Sequence, residues 1–279
     1  MSFHGVRGST PCSCPTLQRY GGNTSCVSIE TEGRSPIVFD LGTGLRQWGH
    51  RLADAAGLTL HALVTHMHWD HVQGLPFFTP LHRPDTTMHV YGPGEGDDTM
   101  GDAFSRFMAP PFFPVRHHEL ASTIEFHDVA DHDFTIDDAD VMARPVPHTG
   151  YTNGYRVTRS GVSVAYVPDH QEPVGRPDHV DDAVLELCDE VDVLIHDAQF
   201  RVDEFDAKAD WGHCTVDYAV EVALQARART LVLFHHDPGH DDDELDRITD
   251  VAAERGLAGG LESVVAAAEG MKLAVSPRL

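Results

Sequence analysis

Three histidines and an aspartate stand close together in the sequence His66-Met-His68-Trp-Asp70-His71. They follow an apolar run, Ala62–Thr65, that predicts a buried strand. At the end of a strand, residues i and i+2 point the same way, so His66 and His68 can bind one metal ion. The chain then turns, and Asp70 and His71 can bind a second ion beside the first. Imidazole together with carboxylate favours zinc, with manganese or iron as alternatives.

The charge balance restricts the partners of this chain. Its 279 residues include 20 Lys and Arg against 44 Asp and Glu, so the formal net charge is -24 at pH 7. Binding of a long nucleic acid depends on basic patches that attract phosphates, so we expect no such partner. A small anionic substrate remains compatible with this charge, because bound metal ions dominate the field inside a site.

The sequence contains no apolar run of about 18 residues, the length that a membrane-spanning helix needs. Its first residues, Met1–Cys12, lack the apolar segment of a secretory signal. We therefore expect a cytoplasmic protein with no membrane partner.

The cysteines predict reduced thiols and no disulfide framework, because their number is odd and they are widely scattered. Cys12 and Cys14 could bind a metal ion, but no second Cys or His pair stands near them, so an ordinary loop is predicted. The five cysteines are Cys12, Cys14, Cys26, Cys188 and Cys214.

Short apolar runs rich in β-branched residues end repeatedly in polar or glycine-rich segments, which predicts strands. Stretches between some of these runs predict helices. We therefore expect an α/β fold in which helices cover two sheets, within a single domain of residues 1–279. The predicted strands are Cys26–Ile29, Ile37–Phe39, Ala62–Thr65, Met88–Tyr91, Val141–Val146, Val162–Val167, Val191–Ile195 and Thr230–Phe234. The predicted helices are Thr43–Ala56, Asp181–Cys188, Thr215–Ala228 and Asp242–Arg255.

Two surface segments have more than one interpretation. The proline-rich segment Ala109–Pro114 could be a lid or a dimer contact, and a packed surface loop is an equal alternative. The acidic run Asp241–Glu244 is most simply the first turn of a helix, where negative charge suits the helix dipole. A calcium site is the alternative there.

At residues 66–71 the sequence resembles the metallo-β-lactamase superfamily. The resemblance implies an αββα sandwich, with two mixed β-sheets flanked by helices, and two divalent metal ions. It also implies three further ligands, each of which directly follows a predicted strand. His148 matches the third histidine of the first metal, Asp169 the bridging aspartate, and His235 the last histidine of the second metal. His236 could replace His235, and His170 is the neighbour of Asp169.

Two later motifs resemble the phosphodiesterase branch of that superfamily, which includes ribonuclease Z and the carbon–phosphorus-lyase-associated cyclic phosphate phosphodiesterase. They are Ile195-His196-Asp197-Ala198 and Trp211-Gly212-His213-Cys214-Thr215. In ribonuclease Z, serine stands where this chain has Cys214. The resemblance implies that His213 is a general acid and that Asp197 keeps its imidazole protonated and oriented. Purely structural roles for both residues are the alternative.

Thr215 is a good N-cap residue, so His213 should lie beside the N-terminus of a helix, a natural place for an anionic phosphate. His196 and His236 are interpreted as structural residues.

Together these features predict a phosphodiesterase with two metal ions that acts on a small phosphodiester, cyclic ones included. A metal-bridging hydroxide would attack phosphorus, Asp70 would hydrogen-bond that hydroxide, and His213 would protonate the leaving oxygen. The alternatives are a ribonuclease Z-like tRNA 3′-endonuclease and a metal-dependent ester or lactone hydrolase. A non-catalytic metal-binding protein is the least favoured interpretation, and a homodimer is an expectation from the resemblance alone.

Overall fold

Two β-sheets pack face to face in the computed structural model, which describes residues 1–277. The first sheet is formed by β1 (Ser2–Gly5), β2 (Cys26–Ile29), β3 (Ile37–Phe39), β4 (Thr59–Leu63), β5 (Thr87–Gly92) and β6 (Thr123–Asp128). The second is formed by β7 (His132–Ile136), β8 (Ala139–Pro145), β9 (Asn153–Arg159), β10 (Val162–Val167), β11 (Val193–Asp197), β12 (Thr230–Phe234) and β13 (Ser263–Ala266).

Both sheets are mixed. The strands of the first sheet lie in the order β1 to β6, and the four from β3 to β6 are parallel. The second sheet has the order β13 to β7, and its four strands from β10 to β13 are parallel. In each sheet the remaining strands pair antiparallel. Because parallel strands end at one edge of their sheet, residues that follow them are gathered there.

Helices cover the outer face of each sheet. They are α1 (Leu45–Arg51), α2 (Trp69–Val72), α3 (Met100–Phe107), α4 (Asp182–Cys188), α5 (Val202–Phe205), α6 (Val216–Gln225) and α7 (Asp242–Gly259). Short 3₁₀ helices cover Pro15–Leu17, Leu75–Phe77, Thr79–His82 and His117–Glu119.

Three apolar layers hold this arrangement together. The middle layer lies between the sheets and includes Phe39, Tyr166 and Phe234, all fully buried. One outer layer packs the first sheet against α1, α2 and α3, and the other packs the second sheet against α4, α6 and α7. The predicted αββα sandwich with two mixed sheets and flanking helices is therefore confirmed. None of the helices within residues 1–277 is long and apolar enough to cross a bilayer.

The predicted elements differ from the structure mainly at their ends. Four predicted strands have the observed bounds, namely β2, β3, β10 and β12. The helix predicted over Thr43–Ala56 is too long, because α1 ends at Arg51 and the chain then turns towards Gly57, whose φ is 61°. The strand predicted over Ala62–Thr65 is observed closer to the N-terminus, because β4 covers Thr59–Leu63.

Five strands and three α-helices of the described residues were not predicted: β1, β6, β7, β9, β13, α2, α3 and α5. The acidic run Asp241–Glu244 begins α7 as expected, since the Asp241 side chain accepts a hydrogen bond from the backbone N–H of Glu244.

Candidate metal centre

The predicted ligands meet at the edge where the parallel strands end. His66 and His68 follow β4, and Asp70 and His71 lie on α2. The other three ligands come from the second sheet and follow β8, β10 and β12, in the order His148, Asp169 and His235. The structure therefore brings all seven predicted ligands together from both sheets.

The first group of ligand atoms lies around the histidine pair that follows β4. His66 Nε2 is 2.8 Å from His68 Nδ1, which is 3.3 Å from His148 Nε2. Asp169 Oδ2 completes the group, at 3.7 Å from His66 Nε2 and 3.6 Å from His148 Nε2. These four atoms lie within 4.8 Å of one another, which suits the shell of a single cation.

The second group lies beside the first. Asp70 Oδ2 is 3.2 Å from His71 Nε2 and 3.1 Å from His235 Nε2. Asp169 Oδ1 is 3.1 Å from His71 Nε2 and 3.4 Å from His235 Nε2. The two oxygens of Asp169 thus face different groups, as a bridging carboxylate requires.

Two buried polar atoms that lack a hydrogen-bond partner indicate that a cation fits this cluster. His71 Nε2 and Asp169 Oδ1 are fully buried and form no hydrogen bond within residues 1–277. A buried polar atom without a partner is costly, and metal coordination satisfies such an atom. Burial also lowers the pKa of His66, His68 and His148, which leaves neutral imidazoles with lone pairs to donate. The residues therefore fit divalent metal ions of the kind that imidazole and carboxylate prefer.

Hydrogen bonds behind the ligands fix the direction of three imidazoles. His71 Nδ1 donates to Asp40 Oδ2 over 2.7 Å, and His148 Nδ1 donates to the carbonyl of Gly212 over 2.6 Å. His235 Nδ1 lies 2.8 Å from Gln199 Oε1. Each of these hydrogen bonds involves Nδ1, so the Nε2 atom of the same ring points towards the cluster. Histidines that bind metals are commonly oriented in this way by a hydrogen bond to their other ring nitrogen.

Asp40, to which the sequence analysis gave no role, supports the cluster through its hydrogen bond to His71. Its carboxylate also accepts hydrogen bonds from the Tyr166 hydroxyl, over 2.9 Å, and from the backbone N–H of Thr65, over 2.8 Å. Its φ of 54° is in the left-handed region, as is the φ of 59° at His235. Such strained backbone is costly for residues other than glycine and concentrates at functional sites.

Gly212 is required by a close approach of its backbone to a ligand. Its φ is 92°, and a Cβ placed on it would lie 2.4 Å from the His148 ring. Gly42 and Gly44 also reflect close contacts, since a Cβ on Gly42 would lie 2.3 Å from the carbonyl oxygen of Asp70.

His213 and Asp197 form a buried pair beside the cluster. His213 Nδ1 is 3.0 Å from Asp197 Oδ2 and 3.8 Å from Asp169 Oδ2, and its ring stacks on that of His235 at 4.9 Å. Burial lowers the pKa of His213, but the carboxylates of Asp197, Asp169 and Asp70 together outweigh that effect, so the pKa is raised overall. With Nδ1 held by Asp197, Nε2 is the nitrogen available to a substrate.

The N-terminus of α6 has the expected N-cap and an additional buried carboxylate beside it. Thr215 is the N-cap, as predicted, and accepts a hydrogen bond from the Tyr218 N–H. However, the backbone N–H and hydroxyl of Thr215 both donate to the buried carboxylate of Glu172, over 2.9 and 2.8 Å. A buried carboxylate of the protein therefore contacts the N-cap residue of this helix.

The alternative histidines lie outside the two ligand groups. His170 Nδ1 is 2.9 Å from His196 Nε2, and His196 Nδ1 donates to the carbonyl of Asp197. His236 Nε2 donates to the carbonyl of Ala267 over 3.0 Å. These contacts agree with structural roles for all three.

Cys12, Cys14 and the proline-rich segment Ala109–Pro114 contribute no ligand to either of the two groups. Cys12 and Cys14 are free thiols in the loop before β2. In the proline-rich segment, Phe112 is 81% exposed and Phe113 packs edge-on against Phe77. Three aromatic residues that are close in the sequence to a ligand or to His213 are exposed: Trp69, Tyr151 and Trp211.

Comparison with known proteins shows where this architecture occurs. The model of the Beta-lactamase superfamily domain matches residues 37–236. The protein named ribonuclease Z from Natronomonas pharaonis is 25% identical over 273 residues, which cover 84% of this chain and 86% of that protein.

Two solved structures have a similar fold. The short form of human tRNase Z has a TM-score of 0.69 at 22% identity and covers 99% of this chain and 98% of its own. A diphosphatase of the PhnP family has a TM-score of 0.69 at 20% identity and covers 100% of this chain and 98% of its own.

We predict that Asp40→Asn weakens metal binding about 10- to 100-fold, because the neutral amide no longer increases the basicity of His71. The measurement is competition for zinc against a chelator of known affinity, with circular dichroism to check folding. Asp138→Asn, which removes an exposed carboxylate paired with Arg34, is the matched control and should bind zinc like the parent. Unchanged affinity in Asp40→Asn would restrict Asp40 to a role in folding.

Proposed function

This chain belongs to the metallo-β-lactamase superfamily, and on that premise we propose that it is a metal-dependent phosphodiesterase acting on small phosphodiesters, cyclic ones included. The observation that carries the proposal is the position of Asp169. Its two oxygens face two separate groups of ligand atoms, and the His213–Asp197 pair stands beside it. This arrangement supplies metal ligands and a proton donor at one place.

The ligand atoms suit two divalent ions, with zinc favoured and manganese or iron as alternatives. One ion would be held by His66, His68 and His148, the other by Asp70, His71 and His235, with Asp169 shared. Such ions, when bound, polarise a phosphoryl oxygen and lower the pKa of water.

The protein's own residues complete the chemistry. His213 would donate a proton from Nε2 to the departing oxygen, while Asp197 holds Nδ1 and favours the imidazolium. Asp197 is itself fixed, because it accepts hydrogen bonds from the backbone N–H groups of His170 and Gln199. Asp70 Oδ2 accepts a hydrogen bond from the backbone N–H of Ser9 over 2.8 Å, which orients that carboxylate towards the cluster.

A second candidate is processing of RNA, because relatives in the comparison are named ribonuclease Z. The expectation that long nucleic acids are not substrates is therefore not confirmed and stays a prediction. The net charge of -24 favours the small substrate, since it opposes the approach of a polyphosphate chain.

We predict that the purified protein holds about two divalent transition-metal ions per chain and that Asp169→Asn loses both, because each ion loses an anionic ligand. Elemental analysis after gel filtration measures the content. Asp178→Asn, at an exposed position, is the control and should retain both ions. A parent protein with well under one ion per chain would contradict the proposed centre.

We predict a larger kcat/KM for a compact cyclic phosphodiester than for precursor tRNA at the same ionic strength, because the acidic surface repels the longer polyanion. Both substrates should be measured with the same metal-loaded preparation. Faster turnover of precursor tRNA would instead favour the ribonuclease Z activity.

We predict that His213→Ala loses roughly 10²–10⁴-fold in kcat on a phosphodiester with an alkoxide leaving group, the range expected for general acid catalysis. The loss on bis-nitrophenyl phosphate should be much smaller, because nitrophenolate leaves without a proton. His50→Ala, at an exposed position on α1, should match the parent on both substrates. Equal losses on the two substrates would mean that His213 positions the phosphate, and a loss of metal would mean that it supports the cluster.

A further inference from the structure

Outside the catalytic cluster, ligating side chains are aligned across three neighbouring strands of the first sheet. His61 on β4 pairs in register with His89 on β5, and His89 pairs with Glu125 on β6. His127, two residues after Glu125, projects from the same face of β6, because residues i and i+2 of a strand share a face. The sequence analysis assigned no role to these residues.

Three ligand atoms converge at this edge of the sheet. His89 Nδ1 is 3.2 Å from His127 Nε2 and 3.3 Å from Glu125 Oε2. All three atoms lie within 4.8 Å of one another. A zinc ion with Zn–N and Zn–O bonds of ordinary length separates its tetrahedral ligands by about 3.3 Å. The two separations from His89 Nδ1 therefore match those between ligands of a tetrahedral zinc ion, and the third pair of atoms lies within 4.8 Å.

We propose that His89, Glu125 and His127 bind a divalent transition-metal ion of the zinc class at the edge of the first sheet. The fourth coordination position is left to water, because the Glu125 side chain is 51% exposed and the group faces solvent on that side. Two imidazoles and one carboxylate form a ligand set that suits zinc, and none of the three residues belongs to the catalytic cluster.

The strands hold these side chains in place before an ion binds. The His89 ring stacks on His61 at 4.9 Å, and the His127 ring stacks on Tyr91 at 4.5 Å. Tyr91 in turn stacks on Phe134 of β7 at 5.0 Å. Burial lowers the pKa of His127, which favours the neutral form that binds metals. The site thus has little conformational freedom to lose on binding.

Hydrogen bonds among His89, Glu125 and His127 would satisfy their polar atoms less completely than a bound cation would. His89 Nδ1 carries one hydrogen at most, yet it faces both His127 Nε2 and Glu125 Oε2 at similar distances. One N–H cannot donate well to two acceptors, whereas a single cation accepts all three lone pairs. An ion here would also fasten β6, the last strand of its sheet, to β5.

The test is a titration of the metal-loaded protein with zinc chloride, followed by elemental analysis after gel filtration. We expect one zinc ion per chain beyond those of the catalytic cluster, and a tetrahedral absorption band when cobalt replaces it. The double variant His89→Gln/His127→Gln should lose this ion and the band while keeping its phosphodiesterase activity. His132→Gln, an exposed histidine on β7, is the matched control and should bind like the parent.

Absence of the additional zinc ion in the parent, or its retention in the double variant, would overturn the proposal. If the double variant does not fold, the variant Glu125→Gln tests the same site. We expect this variant to bind zinc there about tenfold more weakly or worse. An unchanged zinc affinity would also overturn the proposal. The variant Asp169→Asn separates this site from the catalytic one, because it should lose the catalytic ions and still bind zinc at the sheet edge.

Discussion

The buried carboxylate of Asp169 is the constraint on which the site depends. A carboxylate removed from water is stable only when charges or donors replace its hydration. Around Asp169 the nearest groups are imidazoles whose lone pairs face the same space, and Oδ1 has no hydrogen bond at all. Divalent cations resolve that conflict, because they satisfy the carboxylate and the imidazoles together. The buried ligands of this cluster therefore fit divalent cations.

The supporting residues extend this arrangement outwards. Asp40, Gln199 and Gly212 each occupy the rear nitrogen of a histidine, so each ring presents its other nitrogen to the cluster. Asp197 does the same for His213, the proposed proton donor. The same kind of hydrogen bond would therefore serve both metal binding and the proposed acid catalysis. The left-handed backbone at Asp40 and His235 is a conformational cost of this positioning.

The sequence predicted the fold class from its apolar runs, and it predicted the cluster from the motif at residues 66–71 together with the family resemblance that this motif carries. Apolar runs marked the central strands, and ligands such as His66 and His235 stand just after them. The outer partners had no such signal. Asp40 bonds to His71 across 31 positions and Gln199 to His235 across 36, contacts that only the packing of distant elements creates. For the same reason Glu172 was missed, although it occupies the N-terminus of α6.

The origin of the ligands has a mechanical consequence. Sheet one is built from residues before position 129 and sheet two from residues after 131, and each contributes ligands to the same centre. A metal ion bound at this centre would crosslink the two layers, because neither half of the chain supplies all the ligands of either group. Sliding of one layer against the other would then pull ligands away from the ion, so metal binding and the alignment of the two sheets would be coupled.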